Sequence, residues 1–356
     1  MKTIAFYLPQ FHTIPENDQW WGKGFTEWVN VKKSQPLFTG HRQPRVPLSN
    51  NYYDLSDVEI LRWQSELIQK YLVDGMCFYH YWFNGKLLLE KPLELLLGHK
   101  DINMPFCLSW ANEPWTRAWD GGDKDMLISQ EYGSEQEWSA HFKYLLQAFK
   151  DPRYIKINNK PMFIIYRAEA IGEFDKMISH WQIWAIENGF PGLHIVISNT
   201  YFKDKNSSIK DYQRLDFEPM YTLRKERNFM AKVKSKISSI FKTLLYSNTL
   251  SMVYSYDDIW LSILKRPIQE TCYPGAFVDW DNSPRKQHKG TVFNGMTAEK
   301  FKFYFSQQYN RAKSTGCDFL FVNAWNEWAE GAYLEPDEEH AYALLEVIQE
   351  SKKMAE

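Results

Sequence analysis

The sequence predicts a single α/β domain, a (β/α)8 barrel of the TIM type spanning residues 1–356, and three observations predict it. Eight short apolar runs, at 3–11, 75–82, 105–110, 161–168, 193–200, 216–221, 274–280 and 318–325, alternate with amphipathic segments. The chain has 356 residues, enough for a barrel of about 250 residues with insertions. Polar and aromatic side chains gather on the C-terminal side of nearly every run. That is the face on which barrel enzymes carry their chemistry.

Each run is mostly apolar, as a strand buried on both faces should be. Helices are expected at 56–73, 87–97, 134–149, 173–188, 256–264, 297–314 and 338–351. Ser56 followed by Glu59 reads as a capping box, and Thr297 before Ala-Glu-Lys reads similarly. A doubly wound open sheet is the alternative. It usually places a Gly-rich phosphate turn after its first strand, where this chain has Leu8-Pro9-Gln10-Phe11.

One stretch, 222–255, stands outside the repeat as an inserted basic segment. Between Arg224 and Lys242 seven basic residues accompany one acid, Glu226. Val233, Ile237, Ile240, Phe241 and Leu244 form a helical apolar stripe. The stretch reads either as a solvated helix on the barrel rim or as an amphipathic helix on an anionic membrane surface.

Composition narrows the function. The net charge of −2 gives no global field for nucleic acid. Four cysteines without a CxxC pair read as small buried hydrophobes in a reducing compartment. The start, Met1-Lys2-Thr3 running into Ile4–Leu8 and stopping at Pro9, reads as a first strand and not a signal peptide. No apolar stretch approaches 18 residues. The expected location is the cytoplasm, with peripheral contact at the inner membrane through 224–242 left open.

Aromatic residues make up 17% of the chain; core packing accounts for over half of them, and tryptophan among polar groups also suits a cleft that stacks sugar rings. The sharpest feature is Trp325-Asn326-Glu327-Trp328-Ala329-Glu330-Gly331 at the end of the last run. If the chain turns helically there, Glu327 and Glu330 share a face with Cβ atoms about 5–6 Å apart. Two such carboxylates titrate as a coupled pair and retain one proton, which glycosidic bond cleavage requires. A second constellation is Trp110, Asn112, Glu113, Trp115 and Arg117. Its Asn112-Glu113 echoes Asn326-Glu327, so Glu113 with Glu327 is a rival pair, and catalysis by one glutamate is a third arrangement.

Glu327 and Glu330 are therefore the candidate catalytic residues. The candidate substrate-binding residues are Tyr7, Gln10, His12, His80, Trp82, Trp110, Asn112, Glu113, Trp115, Arg117, Tyr166, Glu218, Asp279, Trp280, Trp325 and Trp328. The histidines lack HxH or HExxH spacing, and no GxxxxGK[ST] or GxGxxG occurs. No metal or cofactor is expected; the expected partner is an oligosaccharide or polysaccharide.

These segments resemble the WbsX-type proteins of bacterial surface-polysaccharide clusters, described as glycoside hydrolase family 99-like. The matching stretches are Phe6-Tyr7-Leu8-Pro9-Gln10-Phe11-His12, Gly24-Phe25-Thr26-Glu27-Trp28, Phe78–Phe83, Trp110–Trp115 and Trp325–Gly331. The resemblance implies a barrel and a retaining, substrate-assisted reaction. Glu327 would act on the sugar 2-hydroxyl and Glu330 on the leaving oxygen. Family 99 has His between its glutamates where this chain has Ala329. Three functions follow: a glycosidase or transglycosylase, a glycosyltransferase in the same assembly pathway, and a non-catalytic carbohydrate-binding protein.

Overall fold

A computed structural model describes residues 1–117, 122–200, 211–225 and 252–355, with the backbone alone at 122–124. Its frame is a ring of eight parallel strands: β1 (Lys2–Tyr7), β2 (Gly75–Phe83), β3 (Phe106–Trp110), β4 (Lys160–Ile165), β5 (His194–Asn199), β6 (Gln213–Asp216), β7 and β8 (Phe319–Asn323). β7 comes in two pieces, Cys272–Tyr273 and Gly275–Phe277. The first pairs with β6 and the second with β8. Pro274 between them has no N–H to give to a ladder, so the strand changes partner there. β1 pairs with both β2 and β8, and the ring closes. The barrel expectation is thus borne out.

Around the ring run α3 (Val58–Lys70), α4 (Lys91–Gly98), α5 (Glu135–Phe149), α6 (Phe174–Glu187), α8 (Tyr256–Lys265), α10 (Ala298–Ser314) and α11 (Ala343–Ala355). Trp181 of α6 and Trp260 of α8 are fully buried against the wall. Inside the barrel Phe6 stacks on Tyr79 at 5.6 Å and meets Phe217 edge-on at 5.0 Å. Each fully buried large apolar side chain contributes roughly 1.5–3 kcal/mol, so these two packed layers, and not helix propensity, hold the fold.

Some boundaries differ from the sequence reading. The run at 216–221 ends as a strand at Asp216, and Met220–Lys225 form a short helix, α7. Pro219, which follows a cis peptide bond, cannot extend the ladder. The segment at 87–97 splits: Lys86–Leu88 pair back on the end of β2 across Asn84 and Gly85, both with positive φ, and α4 begins only at Lys91 beside Pro92. The cap of α3 is Asp57, whose carboxylate accepts from the Glu59 N–H at 3.0 Å, in place of Ser56. Thr297 does cap its helix, accepting from Lys300 N–H at 3.2 Å. The last helix starts at Ala343 and not at 338.

Two helices in the loop after β1 were not foreseen, α1 (Pro15–Trp21) and α2 (Glu27–Lys33). Both are short and carry their charges with the helix dipole: Pro15, Glu16 and Asp18 open α1, and Glu27 opens and Lys32 and Lys33 close α2. Past Lys225 the basic segment lies outside the described residues; Met252–Ser255 then pair in parallel with Thr291–Asn294. Cys77, Cys107 and Cys272 are buried and Cys317 half-buried, all free thiols. Among the described residues no helix is long and apolar enough to cross a membrane.

A Cβ at Gly275 would stand 2.0 Å from the Asp216 carbonyl oxygen, so β6 and β7 can approach only over a glycine. Gly275→Ala is expected to cost about 1–3 kcal/mol, read as a lower denaturant midpoint. An unchanged midpoint would contradict this packing.

Candidate active site

The site grows from the turn after β8. Asn326 pins that turn to the end of β1: its Oδ1 accepts from Leu8 N–H at 2.7 Å and its Nδ2 donates to Leu8 O at 3.0 Å. Trp328–Glu330 then form one 3-10 turn, closed by Gly331 at φ 65°. A Cβ on Gly331 would meet the Arg45 guanidinium at 2.9 Å, so conformation and space both demand glycine. The turn brings Glu327 and Glu330 to one guanidinium, that of Arg285, on the short helix α9 (Ser283–Lys286) after β7. Arg285 Nη2 lies 3.0 Å from Glu327 Oε2, and Nη1 donates to Glu330 Oε1.

A third carboxylate completes the cluster. Glu27, fully buried at the start of α2, accepts from Arg285 Nε at 2.9 Å and pairs with Nη2 at 2.8 Å. The loop carrying Arg285 is itself fastened. Asp281 N–H donates to Glu330 O at 2.6 Å, and its carboxylate accepts from Gln43 Nε2 at 2.6 Å and pairs with His41 Nε2 at 2.8 Å. Burial alone would raise the Asp281 carboxyl; the bond to His41 and the nearby Arg45 hold it at about 2 instead. Arg45 joins Asp279 at 2.7 Å to Gly331 O at 3.2 Å.

Three carboxylates face one cation, and the proton balance follows. Burial first, then the charge of Glu330, pushes the Glu327 carboxyl up to about 8 against the pull of Arg285. Burial raises Glu27 too, again opposed by Arg285. Inside the mouth the hydroxyls of Tyr79 and Tyr81 are raised by burial and then by Glu327, and that of Tyr166 by burial and then by Glu113. All three stay neutral near pH 7 and can donate hydrogen bonds to a ligand.

The remaining candidates scatter. His80, Trp82 and Trp110 lie behind the wall, not in its mouth. His80 Nε2 sits 2.8 Å from His141 Nε2 on α5, and burial pushes its imidazole down to about 3. Trp82 stacks on His141 at 4.5 Å, and Trp110 donates to Trp82 O. Successive strand residues face opposite sides, so with His80 and Trp82 outward, Tyr79 and Tyr81 point in. Tyr7 also points outward, donating to Gln64 of α3 at 2.8 Å.

Asn112 clamps Arg167, accepting from its N–H at 2.7 Å and donating to its C=O at 2.9 Å. Glu113 is half-buried at the rim and pairs with Arg167, not with the Arg285 cluster. Trp115 is buried against Phe83 and Leu88, and Arg117 is half-buried on the same short strand. Glu218 is buried with Arg266 and accepts from Thr222 at 2.9 Å. Asp279 serves Arg45 as described. Trp280 and Trp325 are buried, and Trp328 stacks on Tyr333 at 3.8 Å while donating to Glu335 at 2.7 Å.

Gln10 touches the cluster through its backbone, and His12 faces Asp54 and Lys91 instead. Gln10 O accepts from the Glu27 N–H at 3.1 Å; among the described residues both atoms of its buried side-chain amide lack a hydrogen-bond partner. His12 Nδ1 lies 2.9 Å from Pro9 O, and its Nε2 likewise has no partner among the described residues. Sequence reasoning missed Glu27, Arg285, Tyr79 and Tyr81 as site residues. Strand alternation could have found the tyrosines. For Glu27 the one signal was its place in Gly24-Phe25-Thr26-Glu27-Trp28. Among the described residues no group of acidic, His or Cys side chains is arranged to hold a metal.

Over residues 3–348 the chain matches the family described as Glycosyltransferase WbsX. It belongs to that family. WxcX of Xanthomonas campestris pv. campestris (strain B100) is 34% identical over 352 residues, which are 98% of this chain and 49% of that protein. The chain thus spans about half the length of the curated relatives it matches. In structure it resembles the GH99 endo-alpha-mannosidase of Bacteroides thetaiotaomicron, with a TM-score of 0.59 at 15% identity over 99% of this chain and 97% of that one. A glycoside hydrolase-like protein gives 0.57 at 12% identity, over 98% and 93%. At such identities the likeness establishes a shared barrel fold.

The raised carboxyl makes a stability prediction. An unfolded Glu titrates near 4.3, so between that pH and about 8 the folded chain binds the extra proton of Glu327 and loses stability as pH rises. Glu327→Gln removes this dependence. Its melting temperature relative to wild type should climb from pH 5 to pH 9; a constant difference would mean that Glu327 ionises normally.

Proposed function

We propose that this WbsX-family chain is a carbohydrate-active enzyme that cleaves or transfers glycosidic bonds with retention, using Glu327 and Glu330. The observation that carries this reading is the single guanidinium of Arg285 binding both carboxylates in a buried turn at the C-terminal end of β8. Two carboxyls held that way divide the labour of acid and base, because burial and mutual repulsion keep a proton on one of them. Neutral hydroxyls of Tyr79, Tyr81 and Tyr166 and the spare amide of Gln10 supply hydrogen bonds for sugar hydroxyls.

The roles follow the family 99 resemblance. In the reactive form the one proton that the pair retains sits on Glu330 and Glu327 is ionised. Glu327 takes the proton of the sugar 2-hydroxyl while that oxygen attacks the anomeric carbon and the bond to the leaving group breaks, and Glu330 gives its proton to the departing oxygen. Glu330 then takes a proton from the incoming water or sugar hydroxyl, which opens the anhydro ring, and Glu327 returns its proton to the 2-oxygen. A carboxylate with a conjugate acid near 8 is a stronger base than an ordinary one, which suits the removal of a hydroxyl proton. The natural substrate is a surface polysaccharide or its lipid-linked precursor. The family description favours a second reading, transfer from an activated sugar donor.

The test is turnover of oligosaccharides and glycosyl fluorides, α-mannosyl included, without a nucleotide sugar. Wild type should act, and Glu327→Gln and Glu330→Gln should each lose about 10²–10⁴-fold. In wild type kcat/KM should fall as pH rises through about 8, where the pair loses the one proton that the leaving oxygen needs. An activity that holds above that pH would mean that the leaving oxygen does not draw on the pair's proton. Silence until a nucleotide or lipid-linked donor is supplied would favour the transferase.

A further inference from the structure

Beside Trp328, in the turn that carries Glu327 and Glu330, lies a cavity of about 440 Å³ that the proposed reaction does not use. It opens on the same C-terminal face, between the loop after β1 and the loop after β8. Tyr53, Trp63, Trp328 and Tyr342 give it aromatic walls. Asn50 and Asn51 stand at its rim, exposed and half-buried. The rim is laced down: Leu48 N–H donates to Pro336 O at 3.0 Å, and Ser49 N–H to Glu338 Oε1 at 2.5 Å.

The chemistry of the lining selects the ligand. Among the described residues no Lys or Arg lines the cavity, so no cationic side chain there recognises an anion. Its one carboxylate, Glu335, is buried and already accepts from Trp328 Nε1 at 2.7 Å, Tyr53 OH at 2.8 Å and Gln64 Nε2 at 2.7 Å. It is therefore not a spare counter-charge for a cation. What remains is a neutral ligand with one apolar face for the aromatic rings and hydroxyls for the amides and backbone of the rim. A pyranose has that form, and the volume falls within the usual range for small-ligand sites.

We propose that this cavity is a second saccharide subsite, binding a neutral pyranose against Trp63 and sharing Trp328 as a wall with the turn that carries Glu327 and Glu330. It rests on the carbohydrate reading of the chain. Trp328 is the contact through which occupancy reaches that turn.

The experiment measures binding of methyl α-mannoside, methyl α-glucoside, methyl α-rhamnoside and mannobiose by saturation-transfer NMR. The proteins are wild type, Trp63→Ala, Asn51→Trp and Glu327→Gln. Asn51→Trp plugs the mouth from a rim residue at φ −72°, which any side chain tolerates, and guards against misfolding of Trp63→Ala. At least one sugar should bind wild type and Glu327→Gln alike and bind about tenfold more weakly to the other two, a loss within reach of one ring contact. No binding that depends on Trp63 and Asn51, across all four sugars, overturns the proposal. Binding lost in Glu327→Gln and kept in Trp63→Ala also overturns it, while leaving the carbohydrate reading intact. Trp63-dependent binding without any turnover would confirm the subsite and count against the hydrolase.

Discussion

Everything at the mouth of this barrel depends on one guanidinium. Arg285 stands between Glu27, Glu327 and Glu330, so one largely buried positive charge is set against three acids. Full ionisation of all three would leave an excess of two negative charges where the dielectric screens poorly. The cluster escapes by keeping a proton, and burial together with the charge of Glu330 holds it on Glu327. Arginine suits the position because its planar fork presents several donors at once and never gives up its own proton.

The surrounding structure exists to hold that fork still. Arg285 sits on a four-residue helix that could not stand alone. Asp281 ties its base to Glu330 and to the His41–Gln43 segment, and Arg45 ties Asp279 to Gly331. Asn326 fixes the opposite edge to β1. Glu27 arrives from the loop between β1 and α3, so the cluster draws on three loops of the barrel. Such convergence is what the C-terminal face of a barrel offers.

The sequence made the architecture legible because every barrel strand except β6, which reads Gln-Arg-Leu-Asp, is a short apolar run, and most are followed by polar groups. It failed at Pro219 and around Asn84-Gly85, where a single turn residue changes the element. The Glu327–Glu330 pair was legible because i,i+3 spacing is local. Glu27 and Arg285 were not, since their partnership joins positions 258 apart and no local pattern marks it. His80, Trp82 and Trp110 were misplaced for a different reason. In a strand buried on both faces the apolar pattern does not say which residues look into the barrel, and β2 turns Tyr79 and Tyr81 inward instead.

The central claim is that Glu327 retains a proton because of its burial beside the charge of Glu330. Difference infrared spectroscopy of the carboxyl band in wild type, Glu327→Gln and Glu330→Gln from pH 6 to pH 10 tests it directly. A protonated carboxyl that disappears with a midpoint near 8 in wild type, is missing in Glu327→Gln, and titrates lower in Glu330→Gln would bear the account out. A Glu327 already ionised at pH 6 would contradict it.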